Sequence, residues 1–204
     1  MIGAKEKKER ALGMKLFLKG HRCNSPKCAA VRRPQRPGMH GKKRRRAMSE
    51  FGQQLMEKQR VKVSYGLREA QLLKIVKAAL KKPGAIGETI INLLETQLVN
   101  VVFRAGIAPS RIIARQFVGH GHIFVNGEKV TIPSYRVKAG DIIAIKPSSK
   151  ELLLFKELSS ILKKYEPPHW VELDKEKLEA KIKSLPENVE IPFDINLVVD
   201  YYSK

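Results

Sequence analysis

Two histidines flanking a single glycine, His120 and His122 in RQFVGHGHIFVNGEKV, are the residues whose type and spacing most invite chemistry. Imidazoles this close can share a metal or pass protons. A metal needs three or four ligands converging on one point, and the sequence places no third ligand beside these two. A catalytic histidine wants an orienting carboxylate; Glu128 and Asp141 are near it only along the chain. The reading that needs the fewest extra groups is a corner between helix and strand, where a histidine donates to a phosphate or stacks on a base. No P-loop, G-x-S-x-G or H-E-x-x-H string occurs anywhere, so the chain is expected to bind and not to catalyse.

Charge names the kind of partner. The net charge is +20 over 204 residues, which points to a polyanion. It is unevenly spread. Residues 1–66 hold 19 Lys and Arg against 4 acids, residues 67–164 hold 16 against 7, and residues 165–204 hold 5 against 9. Solubility alone gives no reason for that gradient; a basic arm beside a basic domain does. A membrane surface is the competing polyanion, but the densest basic run, Lys42 to Arg46, has no apolar face. The apolar stretch near the start, Leu16-Phe17-Leu18, is too short for a signal peptide. No run approaches the ~18 apolar residues of a membrane-spanning helix. Two cysteines do not make a disulfide framework. A cytoplasmic protein is expected.

The elements that must position these groups follow from periodicity. Residues 1–46 read as an irregular basic arm, broken by Pro26, Pro34 and Pro37. Ser49 caps a helix to about Val63, ended by Gly66. A second helix, about 68–82, stops at Pro83-Gly84. Thr89 to Phe103 is one bent helix or two, closed by Gly106. Ser110 caps a helix from Arg111 to Val118 with Ile113, Ala114, Phe117 and Val118 on one face. Arg111 and Arg115 flank that face at i and i+4; Ile112 falls on the polar side. Gly119 and Gly121 end the helix. From His122 the period becomes two, and Asn126-Gly127 predicts a type I′ hairpin with Lys129 to Ile132 as the returning strand. Pro133-Ser134 bends the chain, Lys138 to Asp141 turn it, and Ile142 to Lys146 form a last short strand. Helices are expected over 151–164 and 174–184, the latter started by Asp174, and a final strand over INLVVDYY, 195–202.

The fold class is therefore α+β: a mostly helical first half with an irregular basic arm, then two helices packed on a short, largely antiparallel sheet. The expected division is 1–46 arm, 47–94 helical domain, 95–158 RNA-binding domain and 159–204 terminal helical segment with a strand. The helix start supplies free N–H groups, and Arg111, Arg115, Lys129 and Arg136 can face one anionic ridge.

Residues 110–145, SRIIARQFVGHGHIFVNGEKVTIPSYRVKAGDIIAI, resemble the RNA-binding module named after small-ribosomal-subunit protein four. Ser-Arg, Ala-Arg, Gly-His-Ile, Val-Asn-Gly, Pro-Ser-Tyr and Gly-Asp carry the likeness. LFLKGHRCNSPKCA, RRPQRPGMHG, EFGQQLMEKQ, LLETQLVNVVFRAGIA and the terminal YYSK extend it to the bacterial ribosomal family itself. The resemblance implies a structural protein that binds the five-prime domain of small-subunit rRNA at a junction of helices and helps nucleate subunit assembly. It also implies a partner in small-subunit protein five, an influence on translational accuracy, and a location near the path by which messenger RNA enters. The implied RNA contacts are Ser110, Arg111, Arg115, His120, His122, Asn126, Lys129, Tyr135 and Arg136, with the arm adding Arg32, Arg33, Arg36, His40, Lys42, Lys43, Arg44, Arg45 and Arg46.

Two departures stand out. Gly119 occupies a position where the family commonly has Arg or Lys. The family also often carries two cysteine pairs that hold zinc. Here Cys23 and Cys28 keep the second pair, while the first falls on Glu6 and Glu9. Glu6, Glu9, His21 and His40 could complete four ligands, but carboxylates are poor company in a structural thiolate site; no cofactor is expected, with zinc the only candidate. The alternative functions are an RNA-modifying enzyme or other factor using the module as a handle, for which the chain has no evident catalytic domain, and a DNA-binding helix-turn-helix, which the Asn-Gly hairpin argues against.

Overall fold

The computed structural model describes residues 5–43, 47–187 and 189–203. Arg44, Arg45 and Arg46, expected RNA contacts, lie outside the described residues, as does Lys204 of the YYSK motif. In chain order the elements are α1 (Lys5–Leu12), α2 (His21–Asn24), α3 (Ala29–Arg32), α4 (Glu50–Ser64), α5 (Glu69–Leu80), α6 (Ile86–Glu95), α7 (Leu98–Arg104) and α8 (Arg111–Gly119). There follow β1 (Ile123–Val125), β2 (Glu128–Lys129), β3 (Ile142–Ile145), α9 (Pro147–Lys150), α10 (Leu153–Lys156), α11 (Leu158–Lys163), β4 (Val171–Asp174), β5 (Glu179–Ile182) and α12 (Ile195–Ser203). The fold is α+β, as expected. The chain forms two compact units: Met1–Ile90 with Glu190–Lys204, and Ile91–Val189. The four expected segments do not each stand alone, since the chain after 189 returns to the first unit and 159–189 belong to the second.

In the first unit, α4 starts where Ser49 accepts a hydrogen bond from the Gly52 N–H at 3.2 Å. It ends before Gly66, whose φ of 65° a side chain would resist. Leu72, Ile75, Val76 and Ala79 form the buried stripe of α5. The irregular-arm reading needs correction from Lys5 to Arg32, where α1, α2 and α3 are helical. Residues 5–12 are helical, with no glycine or proline among them, and Leu12, Leu16, Leu18, Cys23 and Cys28 are buried. The Arg60 guanidinium donates to the Leu12 carbonyl at 3.1 and 3.2 Å, tying the end of α1 to α4. Burial pushes the Cys23 thiol up, against a hydrogen bond from the Lys19 N–H; the negative neighbours Glu9, Cys28 and Glu6 add to the rise. Beyond α3, residues 33–43 have no regular structure and most are exposed, as their prolines predicted.

The expected strand at 195–202 is instead the helix α12. The Asp194 carboxylate accepts from the Asn196 N–H at 2.9 Å and caps it. Ile195 and Val198, three apart, are its buried residues, so a continuous apolar run concealed a helical stripe. α12 packs on α4 and α5 around one ionic knot. Lys58 and Lys62 each reach the Glu69 carboxylate at 2.8 Å, and the Tyr202 hydroxyl donates to it at 2.7 Å. The Lys58 ammonium also lies 4.1 Å from the Tyr201 ring centre. Burial opposes ionisation of Glu69, but the bonds from Lys58, Lys62 and Tyr202 outweigh it and hold the carboxyl at about 2.

The second unit is built on a five-stranded antiparallel sheet in the order β2-β1-β3-β5-β4. Phe124 pairs with Lys129 on one side and Ala144 on the other. Ala114, Phe117 and Val118 of α8, Val101 and Val102 of α7, and Ile123, Val125, Ile143 and Ile145 of the sheet share its core with Phe155, Leu162 and Trp170. The expected helix at 174–184 is a β-hairpin. Asp174 does not cap a helix; its carboxylate accepts from the Glu176 and Lys177 N–H groups, both at 3.0 Å, and turns the chain. Ala180 and Ile182 are then buried while Lys181 between them is exposed, a period of two. The expected helix at 151–164 starts only after Leu152, whose backbone is extended, and is split at Glu157 into α10 and α11; Phe155 of α10 is buried 4.7 Å from Phe117, ring centre to ring centre. The returning strand after Asn126-Gly127 is only Glu128–Lys129, because the chain beyond it is drawn off to the α6–α7 junction by hydrogen bonds from Leu98 N–H to the Tyr135 carbonyl (2.8 Å) and from Val137 N–H to the Thr96 carbonyl (2.9 Å).

The Glu69 knot yields a prediction. A carboxyl held below its ordinary 4.5 contributes stability fully above that pH and loses it as pH falls toward about 2. Glu69 is half-exposed, so solvent screens the gain. Glu69→Gln should cost about 1–2 kcal/mol at neutral pH, and the difference between the two chains should shrink below about pH 4.5, as urea unfolding midpoints across that range would report.

Candidate nucleic-acid interface

α8 begins at Ser110, whose backbone is extended and whose hydroxyl accepts from the Ile113 N–H at 3.4 Å. Ser110 is buried, so its side chain works inside the protein as the cap. Ala114, Phe117 and Val118 face the core, and Ile113 packs partly against it. Ile112, expected on the polar side, is half-buried. Arg115 is half-buried too, while Gln116, Gly119 and His120 are exposed.

Beneath the start of α8 lies a charge that sequence reasoning missed. Glu95, at the end of α6, is 0% exposed. Its carboxylate accepts from Arg104 Nε at 3.0 Å and Nη2 at 2.9 Å, a two-point fork, and pairs with Arg111 Nη2 at 3.3 Å. Arg111 Nε donates to Asn100 Oδ1 at 2.9 Å, and its guanidinium lies 4.7 Å from the Phe103 ring centre. The Asn100 amide in turn donates to the Leu94 carbonyl. Three helix segments thus meet on one carboxylate. Arg111 is mainly a strut here and less a free cation than the sequence suggested. The signal in the sequence was an acid set in the apolar run LLETQLVNVVFR, which a buried position tolerates only with paired charge.

The corner after α8 depends on Gly121, with φ at 75°. There the N–H groups of Gly121 and His122 close back on the carbonyls of Val118 and Phe117, both at 3.0 Å. The two histidines then part company. His122 Nδ1 is 2.9 Å from the Ser149 hydroxyl, and its ring meets Phe117 and Phe155 edge-on at 6.3 and 5.8 Å. Burial lowers its pKa, with His120 and Lys146 adding to the effect. His120 is exposed at the tip. Among the described residues, no three His, Cys, Asp or Glu side chains come together in a way that could hold a metal.

Lys129 reaches this corner from the sheet. Its side chain lies across Gly121 so closely that a β-carbon there would be 2.2 Å from Lys129 Cε and 3.0 Å from Nζ. Lys146, half-buried, enters from the end of β3, its N–H bonded to the His122 carbonyl at 2.8 Å; it was not among the expected contacts. Asn126, with φ at 51°, and Gly127, at 84°, make the predicted hairpin turn. The Asn126 amide is fully engaged: Oδ1 accepts from the Ile142 N–H and Nδ2 donates to Asp141, each at 2.9 Å. Tyr135 and Arg136 are exposed on the loop whose backbone bridges to Gln97. In the first unit, Arg32, Arg33, Arg36, His40, Lys42 and Lys43 are all exposed. Their irregular backbone is not loose throughout, since Arg10 Nε donates to the Gln35 carbonyl at 3.0 Å.

The site can therefore offer cations and imidazoles, and among the described residues no group of three metal-ligand side chains is assembled beside them. Comparison with known proteins agrees with the binding reading. Residues 1–95 match the family described as "Ribosomal protein S4/S9 N-terminal domain", and residues 97–143 match the "S4 domain". The chain is similar to "Small ribosomal subunit protein uS4" of Halothermothrix orenii, at 46% identity over 94% of this chain and 93% of that one. It is 48% identical to "Small ribosomal subunit protein uS4A" of Alkaliphilus oremlandii and 45% identical to the Thermus thermophilus uS4 protein, with the same coverage of each chain.

Removing the Glu95 charge would leave Arg104 and Arg111 facing each other in a largely buried place. Glu95→Gln should lower unfolding stability by roughly 3 kcal/mol, read as a shifted denaturant midpoint of the full chain.

Proposed function

Because the chain belongs to the small ribosomal subunit protein uS4 family, structural proteins of the ribosome and not enzymes, we propose that it binds small-subunit rRNA directly, within its five-prime domain. The observation that carries this reading is the corner after α8, where Lys129 lies over Gly121 between an exposed His120 and a packed His122. A half-buried His122, bonded to Ser149, fixes the corner, while Lys129 and His120 beside it are exposed. Folded RNA presents phosphates and sugars across a shallow minor groove, and its deep major groove excludes side chains. Phosphate contacts from a rigid frame suit that target, with shape supplying selectivity.

The contact set we propose is centred on Arg115, His120, Lys129, Lys146, Tyr135 and Arg136, with Arg32, Arg33, Arg36, His40, Lys42 and Lys43 adding contacts from the arm. Arg111 contributes what its ion pair with Glu95 leaves available, and Ser110, His122 and Asn126 act by holding the frame. With this role go the further ones implied by the family: nucleation of small-subunit assembly in the cytoplasm, contact with small-subunit protein five, an effect on translational accuracy, and proximity to incoming messenger RNA.

Titrating a five-prime-domain rRNA fragment tests the binding. If about six phosphates are neutralised, log affinity should fall with log salt at a slope of roughly −4 to −5. In the same assay Arg115→Ala should weaken binding by about 1–3 kcal/mol. A flat salt response, or equal affinity for an unrelated duplex DNA, would refute the proposal.

A further inference from the structure

The resemblance that places this chain beside zinc-holding relatives also sets a question, since Glu6 and Glu9 stand where two thiolates would be. The geometry of the first unit answers it. Four ligands must converge for a structural zinc. Among the described residues, no three acidic, thiol or imidazole groups do so. His21 and His40, the other conceivable ligands, are exposed, whereas Cys23 and Cys28 are wholly buried.

The two carboxylates are partly employed inside the protein, although Glu9 Oε2 is buried without a hydrogen-bond partner among the described residues. Glu9 is 0% exposed, and its Oε1 accepts from the Leu16 N–H at 3.0 Å and the Leu18 N–H at 3.1 Å. A buried carboxylate bonded by backbone N–H groups is a strong, directional link. It draws α1 onto the LFLKG segment that follows it. Glu6 pairs with Arg22 Nε at 2.8 Å and lies 3.8 Å from Lys19 Nζ, joining α1 to α2. Cys23 Sγ accepts from the Lys19 N–H at 3.3 Å. Both thiols are free. The same three segments that a metal would gather are gathered by hydrogen bonds and an ion pair.

We propose that this chain folds its amino-terminal segment without a metal, with the buried Glu9 carboxylate linking α1 to residues 16–18 in a zinc ion's place and Cys23 and Cys28 kept as packed, reduced thiols. The donor set favours this over coordination. Zinc would have to take Glu6 from its arginine, and at Glu9 only Oε2, buried without a hydrogen-bond partner, stands outside the backbone bonds that hold Oε1, so four ligands are not assembled among the described residues.

The test uses the full chain, expressed in zinc-supplemented medium and purified without chelator. Elemental analysis should find well under ~0.2 zinc per chain, and excess EDTA should leave the thermal midpoint within ~1 °C. Glu9→Ala should lower that midpoint by about 5–10 °C, and Glu9→Gln by less, since its amide keeps one acceptor. Cys28→Ala should leave the metal content unchanged. Near-stoichiometric zinc, lost with EDTA or on Cys28→Ala, would overturn the proposal. So would a Glu9→Gln chain and a Glu9→Ala chain that both melt with the unaltered one. Should Glu9→Ala fail to fold, the metal content and EDTA response of the unaltered chain, with the Glu9→Gln midpoint, still decide.

Discussion

A charge taken out of water must be met by opposite charge, or it unfolds what surrounds it. Glu95 is such a charge, fully buried where α6 ends. Arg104 closes on it from α7 and Arg111 from α8. Because each guanidinium is planar and directional, the carboxylate fixes the angle at which these helices leave it as well as their closeness. The position of α8 sets where Phe117 points, and Phe117 packs against Phe155 and His122. The corner that presents Lys129 and His120 thus rests on an ion cluster at the opposite end of α8.

The same economy explains how a chain of net charge +20 is organised. Some cations are tied into the fold: Arg60 by Leu12, Lys58 by Glu69, Arg104 and Arg111 by Glu95. These connect elements and define distances. Others, Arg32, Arg33, Arg36, Lys42, Lys43, Lys129 and Arg136, stand exposed. Charge of one sign left at the surface repels itself, and a polyanion relieves that repulsion. The acidic balance of residues 165–204 goes with a different task, since Asp174 and Asp194 turn or cap the chain through their own backbone neighbours.

His122 and Asn126 show that residues of a motif recognised in sequence also serve the fold that carries it. Both belong to the Gly-His-Ile and Val-Asn-Gly signatures, and both resemble contacts. In the structure His122 Nδ1 meets Ser149, and the Asn126 amide bonds Ile142 and Asp141. Fixing the shape of the corner is sufficient reason for those residue types. Lys146 shows the converse, a basic residue brought to the corner by the pairing of β3 with β1, with nothing local to mark it.

The sequence by itself determined the α+β class, the polyanionic partner, the caps at Ser49 and Ser110, the Asn126-Gly127 turn and the family, because each depends on neighbours within a few residues or on summed composition. It did not determine whether 174–184 would be helix or hairpin, or 195–202 strand or helix. Short apolar runs suit either period, and only the partner decides: β3 accepted β5 as a fourth strand, and α4 with α5 offered α12 a groove. Nor could it tell which cations are struts. That depends on carboxylates 9 and 16 residues away along the chain, and tertiary packing alone brings such groups within reach of one another.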